Sequence, residues 1–500
     1  MGMLGIGFDN EIYLKEQSAK IFERVAGKDK LYVEFGGKLL GDKHAKRVLP
    51  GFDEDVKLKL LSKIKDKSEL IICVFAGDIE QNKMRGDYGI TYDQEVLRLL
   101  REYADRGIRV NSVLLTRYEG QKAALIFKNK LERMGVKVYT HGTIAGYPTD
   151  VEVLFGEQGF AKNAYIETER PIVIVTGPGA GSGKLATCLS QLYHEHEQGI
   201  LAGYAKFETF PVWNLPLKHP VNVAYEAATV DIQDANVIDS YHYEAYHKLA
   251  INYNRDVQMF PVIRRILSTI TGEPCPYKSP TDMGVNCVKA GITDDTRVQA
   301  AAQQEIIRRY FDVEVDYKEG RLNDNARARM HLLMEESGLR PTDRAVVNVA
   351  HQYEASLKDR FHDDSRQAVL AIELPDGQQV TGRTSELMDA SSAALMNALK
   401  ALAGIGDQID LLAPMVLEAI QDLKLKQLHK KASTLSLDEL MIALSISALT
   451  NPTAKLAYHC LSQLANAEAH STVILSKQNQ QTLKQLGMNI TQEPHYPERN

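Results

Sequence analysis

Five hundred residues, 44% hydrophobic and 25% charged, have the composition of an ordinary globular chain of two to four domains. A formal net charge of −6 gives no electrostatic case for nucleic acid or an anionic membrane, and no apolar run approaches the ~20 residues of a membrane-spanning helix. The five cysteines (Cys73, Cys188, Cys275, Cys287, Cys460) include no CxxC pair and are odd in number, which points to free thiols in a reducing compartment rather than a disulfide framework or zinc ribbon. The N-terminal stretch turns acidic and amphipathic at once. It has neither a basic-then-apolar leader pattern nor the Ser or Thr of a myristoylation signal, so a cytoplasmic address is expected.

In chain order, residues 11–26 have helical spacing, and residues 31–35 read as a strand ending on Gly36-Gly37. The run LIICVF (70–75) is continuous and apolar, the mark of a strand buried on both faces. A helix over 93–106 stopped by Gly107, a strand over 110–115, a helix over 121–134 stopped by Gly135 and a strand over 136–140 follow. Residues 172–175 form the next strand. VNVAYEAATVDI (221–232) reads as a later strand, and residues 241–253 and 257–270 carry helical signals. Long helices are predicted over 293–309 and 323–338. A hairpin spans 369–374 and 378–382 around Pro375-Asp376-Gly377. Three helices follow over 385–403, 410–424 and 436–449, the last opened by a Ser436/Glu439 capping box. Their Ala, Leu and Met stripes read as core or as a homo-oligomer interface, with a partner-binding face as the alternative. A last strand over 473–475, a helix to Leu486 and a disordered tail over 492–500 complete the reading.

This alternation predicts an α/β fold: a doubly wound, mainly parallel sheet in an N-terminal region (1–335, with a break near 150–170) and a smaller α+β C-terminal domain (336–500).

The strand over 172–175 runs into PIVIVTGPGAGSGK, where Gly177, Gly179, Gly181, Ser182, Gly183 and Lys184 precede a helix-like segment. Strand, glycine loop, lysine and helix start form the layout that cradles phosphate. Glycines turn backbone N–H groups inward, the helix N-terminus adds partial positive charge and lysine adds a full one. The loop departs from the P-loop pattern G-x-x-x-x-G-K-[ST]. Gly177 to Gly183 encloses five residues, and Leu185 stands where a hydroxyl would bind magnesium. The structural alternative is a strand-to-helix turn whose glycines only allow close packing.

If nucleotide and Mg2+ bind there, Asp231 or Glu226 is the candidate metal ligand, and Arg255 or Lys278 the candidate cation at the transferring phosphoryl group. Asp231 could equally open the next helix or turn as an N-cap. Arg255 lies in NYNRD and Lys278 in YKSPTDMGVN, two dense polar segments that suit either recognition or a fixed structural loop. Asp78, with Lys83, Arg85 and Asp87, follows the 70–75 strand and is the candidate general base or metal ligand, with a surface loop as the equal alternative. The basic glycine loop Gly36-Gly37-Lys38, with Gly41 to Arg47, follows another strand and could face the same crevice. His194/His196 and His242/His247 are badly spaced for a shared metal. Cys188 falls in the helix after the loop, where a buried, inert thiol is expected.

Several long strings extend beyond the loop: FETFPVWNLPLKHPVNVAYEAATVDI, NYNRDVQMFPV, PYKSPTDMGVN, VEFGGKLLGDKHAKRVLPGF and HSTVILS. Through them nearly the whole chain resembles a bacterial family catalogued as an uncharacterised protein family, or domain of unknown function. The resemblance implies an α/β N-terminal region with a separate C-terminal domain and carries no activity with it. From the residues, the first expectation is binding of a small phosphorylated molecule, a nucleotide, with phosphoryl transfer as its chemistry. The alternatives are a metabolite-phosphate enzyme without nucleotide hydrolysis, using Asp78 or Asp282 for acid–base work, and a non-enzymatic sensor or oligomeric scaffold.

Overall fold

The computed structural model describes residues 5–85, 89–361 and 368–497. Its strands are β1 (Lys30–Phe35), β2 (Ser68–Phe75), β3 (Met84–Arg85), β4 (Ile90–Thr91), β5 (Val110–Thr116), β6 (Val138–Thr140), β7 (Ile172–Thr176), β8 (Ala202–Phe207), β9 (Asn236–Ile238), β10 (Ile251–Tyr253), β11 (Val369–Glu373), β12 (Gln379–Arg383), β13 (Glu468–Ser471) and β14 (Asn489–Gln492). The chain divides into two compact units, one chiefly of residues 6–226 and 234–299, the other chiefly of residues 300–500 with 227–233.

The first unit is built on a six-stranded parallel sheet in the order β6-β5-β2-β7-β1-β8. The apolar runs of β2 and β7 occupy central positions, where helices on both faces bury every side chain of β7 and all but Phe75 of β2. On one face Tyr32, Ile71, Cys73, Leu114, Val173 and Val175 pack against Cys188, Leu189 and Leu192 of the helix Lys184–Glu197 and against Phe260, Ile263 and Leu267 of the helix Asn254–Thr271. From β2 the chain winds outward to β5 and β6. It then returns to β7 beside β2 and continues to β8 across β1. This reversal creates a topological switch point at the carboxyl ends of β2 and β7.

The second unit holds a four-stranded mixed sheet, β12-β11-β13-β14. The β11–β12 hairpin is antiparallel as expected. β13 and β14 are parallel and are joined through the helix Lys477–Gln485, since parallel neighbours need a crossover. Leu370 and Ile372 face the helices Ala390–Ala403, Leu437–Ser447 and Pro452–His459, while Val369 and Ala371 face Val346, Ala350 and Leu357 of the helix Ala345–Phe361. The stripes over 385–449 are therefore core on their inner side. The Ser436 N–H donates to Glu439 Oε2 at 2.8 Å, as the capping box requires.

Four local readings are corrected. Residues 221–232 form no strand: Pro220–Ala227 is a helix. The alternation Val221, Val223, Tyr225 mimics a strand, but proline pre-sets the φ of a first helical turn, and both faces are buried, which removes the period-2 contrast. The helix expected over 241–253 ends at Tyr246, because His247 turns left-handed (φ +53°), and residues 251–253 become β10, paired with β9. The last strands are β13 and β14 rather than 473–475. There the Ser471 hydroxyl donates to the Val473 carbonyl at 2.7 Å and turns the chain out of the sheet. Gln492 ends β14, and Glu493 is tied down through its N–H to the Ser471 carbonyl at 2.9 Å, so the ordered chain runs past 492. Asp87 and residues 498–500 lie outside the described residues.

Candidate functional site

β7 is buried along its whole length and delivers the glycine loop to the switch point. Gly177 lies against β2: a Cβ there would come within 2.5 Å of the Cys73 carbonyl oxygen. Gly183 is the helix N-cap in the left-handed region (φ +93°), where a Cβ would approach Thr116 Cγ2 to 2.8 Å. β5 supplies the rest of the cradle. Thr116 Oγ1 donates to the Ser182 carbonyl at 2.8 Å, and Arg117 Nη2 to the Gly181 carbonyl at 2.6 Å. The Arg117 guanidinium also lies 3.4 Å from the centre of the Phe75 ring. Lys184 Nζ folds back to the Gly179 carbonyl at 3.4 Å. Thr187 N–H closes onto the Gly183 carbonyl at 3.0 Å, and the earlier N–H groups of the helix start have no carbonyl a turn behind them within the helix.

These residues border a cavity of about 480 Å³ lined by residues 181–187 of the loop and helix, by Thr116 and Arg117, by Glu34 and by His141 to Ile144 with Tyr147 and Asn163. The Ser182 hydroxyl is buried and has no hydrogen-bond partner among the described residues. Arg117 and Lys184 bring positive charge, and Glu34, which accepts from the Tyr204 hydroxyl at 2.7 Å, brings one carboxylate. The magnesium-binding hydroxyl of a P-loop is missing in three dimensions as well. Leu185 lines the cavity where a hydroxyl would stand, and the Thr187 hydroxyl is donated to the Gly183 carbonyl at 2.9 Å.

His141, buried at the end of β6, holds its Nε2 against the Ala164 carbonyl at 2.9 Å. Burial pushes its pKa down to about 4. The unfolded value near 6.5 is higher, so the unfolded chain binds the extra proton first. The contribution of His141 is complete above about pH 6.5 and is lost as the pH falls towards 4. In urea titrations, His141→Gln should therefore narrow the stability gap between pH 7 and pH 5 by about 2 kcal/mol. An unchanged gap would mean that the ring is not held neutral.

None of Asp78, Glu226, Asp231, Arg255 and Lys278 lines this cavity. Asp78 sits in the helical turn after β2, 3.3 Å from Lys83 Nζ. Glu226 is buried and accepts from the Asn236 backbone and side chain, both at 3.3 Å, while Asp231 is exposed in a turn. Arg255 grips the buried Asp234 through Nε at 2.5 Å and Nη2 at 2.6 Å, so its charge is already matched. In the YKSPTDMGVN segment, Ser279 and Asp282 form a reciprocal capping box and Thr281 donates to Asp239 at 2.6 Å. Lys278 lies 5.5 Å from the Tyr246 ring centre and lines a second cavity of about 480 Å³ with Glu244, Arg264 and Ser268. No residue of 36–47 lines the loop cavity, and Asp42 is instead bound to Lys57 at 2.9 Å. Cys188 is buried, which raises its pKa well above the usual thiol value, as expected of an inert thiol.

Sequence reasoning missed Glu34, Thr116, Arg117 and His141. The last three follow from applying to β5 and β6 the strand-end rule already applied to β1 and β2.

Taken with its fold, the chain is an α/β protein whose doubly wound parallel sheet carries a glycine loop at its switch point, followed by a second unit on a mixed sheet. Residues 6–338 match the family model described as domain of unknown function DUF1846, N-terminal, and residues 342–500 the model for its C-terminal domain. The chain is 57% identical over 492 residues to a UPF0371 protein of Clostridium tetani (strain Massachusetts / E88), covering 98% of each chain. It is 56% identical over 492 residues, with the same coverage, to a UPF0371 protein of Clostridium botulinum (strain Alaska E43 / Type E3). The chain belongs to this bacterial family of about 500 residues. No helix among the described residues is long and apolar enough to cross a membrane.

Proposed function

We propose that this protein binds the phosphoryl group of a small, nucleotide-sized metabolite in the cavity beside the glycine loop. The observation that carries this reading is the meeting of three cationic elements on one cavity: the N-terminus of a 14-residue helix, Lys184 and Arg117. The volume of about 480 Å³ suits a ligand of that size, and Ile144 and Tyr147 offer it an apolar wall. The backbone of Gly179 to Lys184 and the Lys184 ammonium hold the phosphate, and Arg117, just past the end of β5, neutralises it.

A second reading, binding and chemistry on a metabolite phosphate without nucleotide hydrolysis, is favoured by a specific observation. Leu185 replaces the magnesium-binding hydroxyl, and the Thr187 hydroxyl is spent on Gly183. Magnesium separates the two. The purified protein is screened by thermal shift against nucleotides and sugar phosphates, with and without Mg2+, and the screen is repeated on Lys184→Ala. A ligand at ~100 times its Kd adds about 2.7 kcal/mol to the folded state. A magnesium-dependent shift with ATP or GTP that Lys184→Ala abolishes supports nucleotide chemistry. A magnesium-independent shift with sugar phosphates supports the second reading. If no phosphate compound shifts the wild type, the phosphate site is wrong and the loop is architecture.

A further inference from the structure

Among the described residues, the one group of three side chains able to share a metal ion lies in the second unit, and local spacing does not reveal it: His351, His470 and Glu493. Their ligand atoms all lie within 4.8 Å of one another. His470 comes from β13, Glu493 follows directly on β14, and His351 stands on the helix Ala345–Phe361, which packs on that sheet. Glu493 Oε1 is 3.0 Å from His351 Nε2 and 3.5 Å from His470 Nε2.

The hydrogen bonds around His470 decide which nitrogen carries its proton. Its Nδ1 is 2.9 Å from the hydroxyl of Thr491, its partner in the β13–β14 register. That hydroxyl donates to the Ala469 carbonyl at 3.2 Å and accepts from Arg344 Nε at 3.2 Å. With its own proton given to a carbonyl, the Thr491 oxygen accepts from His470 Nδ1–H. The Nε2 lone pair then faces the Glu493 carboxylate. Nε2 is buried and makes no hydrogen bond among the described residues. A buried lone pair opposite an anionic oxygen is repulsive unless a cation lies between them. The ring is held from its other side by Phe311, 4.8 Å between centroids. A histidine fixed through Nδ1–H so that Nε2 is presented is the usual preparation of a metal ligand.

We propose that His351 Nε2, His470 Nε2 and a Glu493 carboxylate oxygen bind one divalent transition-metal ion of the zinc and ferrous class. Two imidazoles and one carboxylate suit that class and leave coordination positions open. His351, with its side chain 42% exposed, is on the solvent side of the group. Ligand atoms on one such ion stand about 3–3.5 Å apart, given metal–nitrogen bonds near 2.1 Å, so the inward movement needed is small.

The test uses the full chain, stripped with chelator and titrated with Co2+ and then Zn2+, read by the visible Co2+ absorption and by calorimetry. The expected result is one ion per chain, with Zn2+ displacing Co2+. His351→Ala, at the surface, and Glu493→Gln should each weaken binding about 100-fold or more, and Thr491→Val about 10- to 100-fold. Circular dichroism checks that each variant is folded, and His351→Ala serves as the decisive variant should the buried changes unfold the unit. A wild type that binds neither ion, or that binds equally well after His351→Ala and Glu493→Gln, overturns the proposal. The second result would assign the metal to others of the 14 histidines.

Discussion

Replacing Arg344 by alanine should cost about 3–5 kcal/mol of stability, because one carboxylate and two strand carbonyls lose a buried charged donor together. Arg344 is 1% exposed. Its Nη1 donates to Glu468 at 2.5 Å, and its Nη2 to the carbonyls of Ala469 at 3.2 Å and Asn489 at 3.0 Å. One side chain thus ties β13 to β14. Glu468 also receives Arg308, at 3.2 Å, and Asn489 Nδ2, at 3.0 Å. Burial alone would raise the Glu468 pKa, but Arg308 and Arg344 outweigh it and hold the carboxyl below its ordinary value. Its contribution to stability is therefore present above about pH 4.3 and is lost as the pH falls below that. Urea unfolding of Arg344→Ala should show a lower midpoint at unchanged slope. A loss below about 1 kcal/mol would show that the network is not holding the parallel pair together. Arg344→Lys should recover part of the loss, since a cation again faces Glu468.

The second large effect is expected at Gly177. A Cβ there meets the Cys73 carbonyl at 2.5 Å, and that carbonyl belongs to the backbone of a central strand and cannot swing aside. Gly177→Ala should cost about 2–3 kcal/mol, at the upper end of overpacking effects. Gly181 is left-handed (φ +72°), but nothing lies within 4 Å of its Cβ position, so Gly181→Ala should cost only the backbone strain, about 1 kcal/mol. Thermal unfolding of the two variants side by side reads the difference. Equal losses would mean that β2 yields at Cys73 and that Gly177 is not a packing glycine. The two glycines thus differ in surroundings: Gly177 packs against β2, and Gly181 lines the cavity beside the loop.

Much of the first unit was legible from local pattern. LIICVF and IVIVT announce strands buried on both faces, and Gly107 and Gly135 end helices where the sequence says they do. Legibility failed where the pattern was ambiguous or absent. Val221 to Ile232 imitates strand alternation inside a helix buried on both sides. The polar segments NYNRD and YKSPTDMGVN attracted functional roles for Arg255 and Lys278. Yet Arg255 is neutralised by Asp234 and Ser279 caps its own turn, because dense polar residues satisfy backbone groups as readily as ligands.

The strand–helix alternation, the glycine loop with its lysine, the missing hydroxyl at Leu185 and the free thiols are written locally in the chain, because they depend on side-chain periods and residue chemistry within a few positions. The strand order β6-β5-β2-β7-β1-β8, which brings Thr116 and Arg117 to a loop some 65 residues further along the chain, comes from long-range packing. Packing also sets the meeting of His351 with His470 and Glu493, up to 142 residues apart in the chain. Such encounters are set by which faces must be buried together, and no local spacing records them.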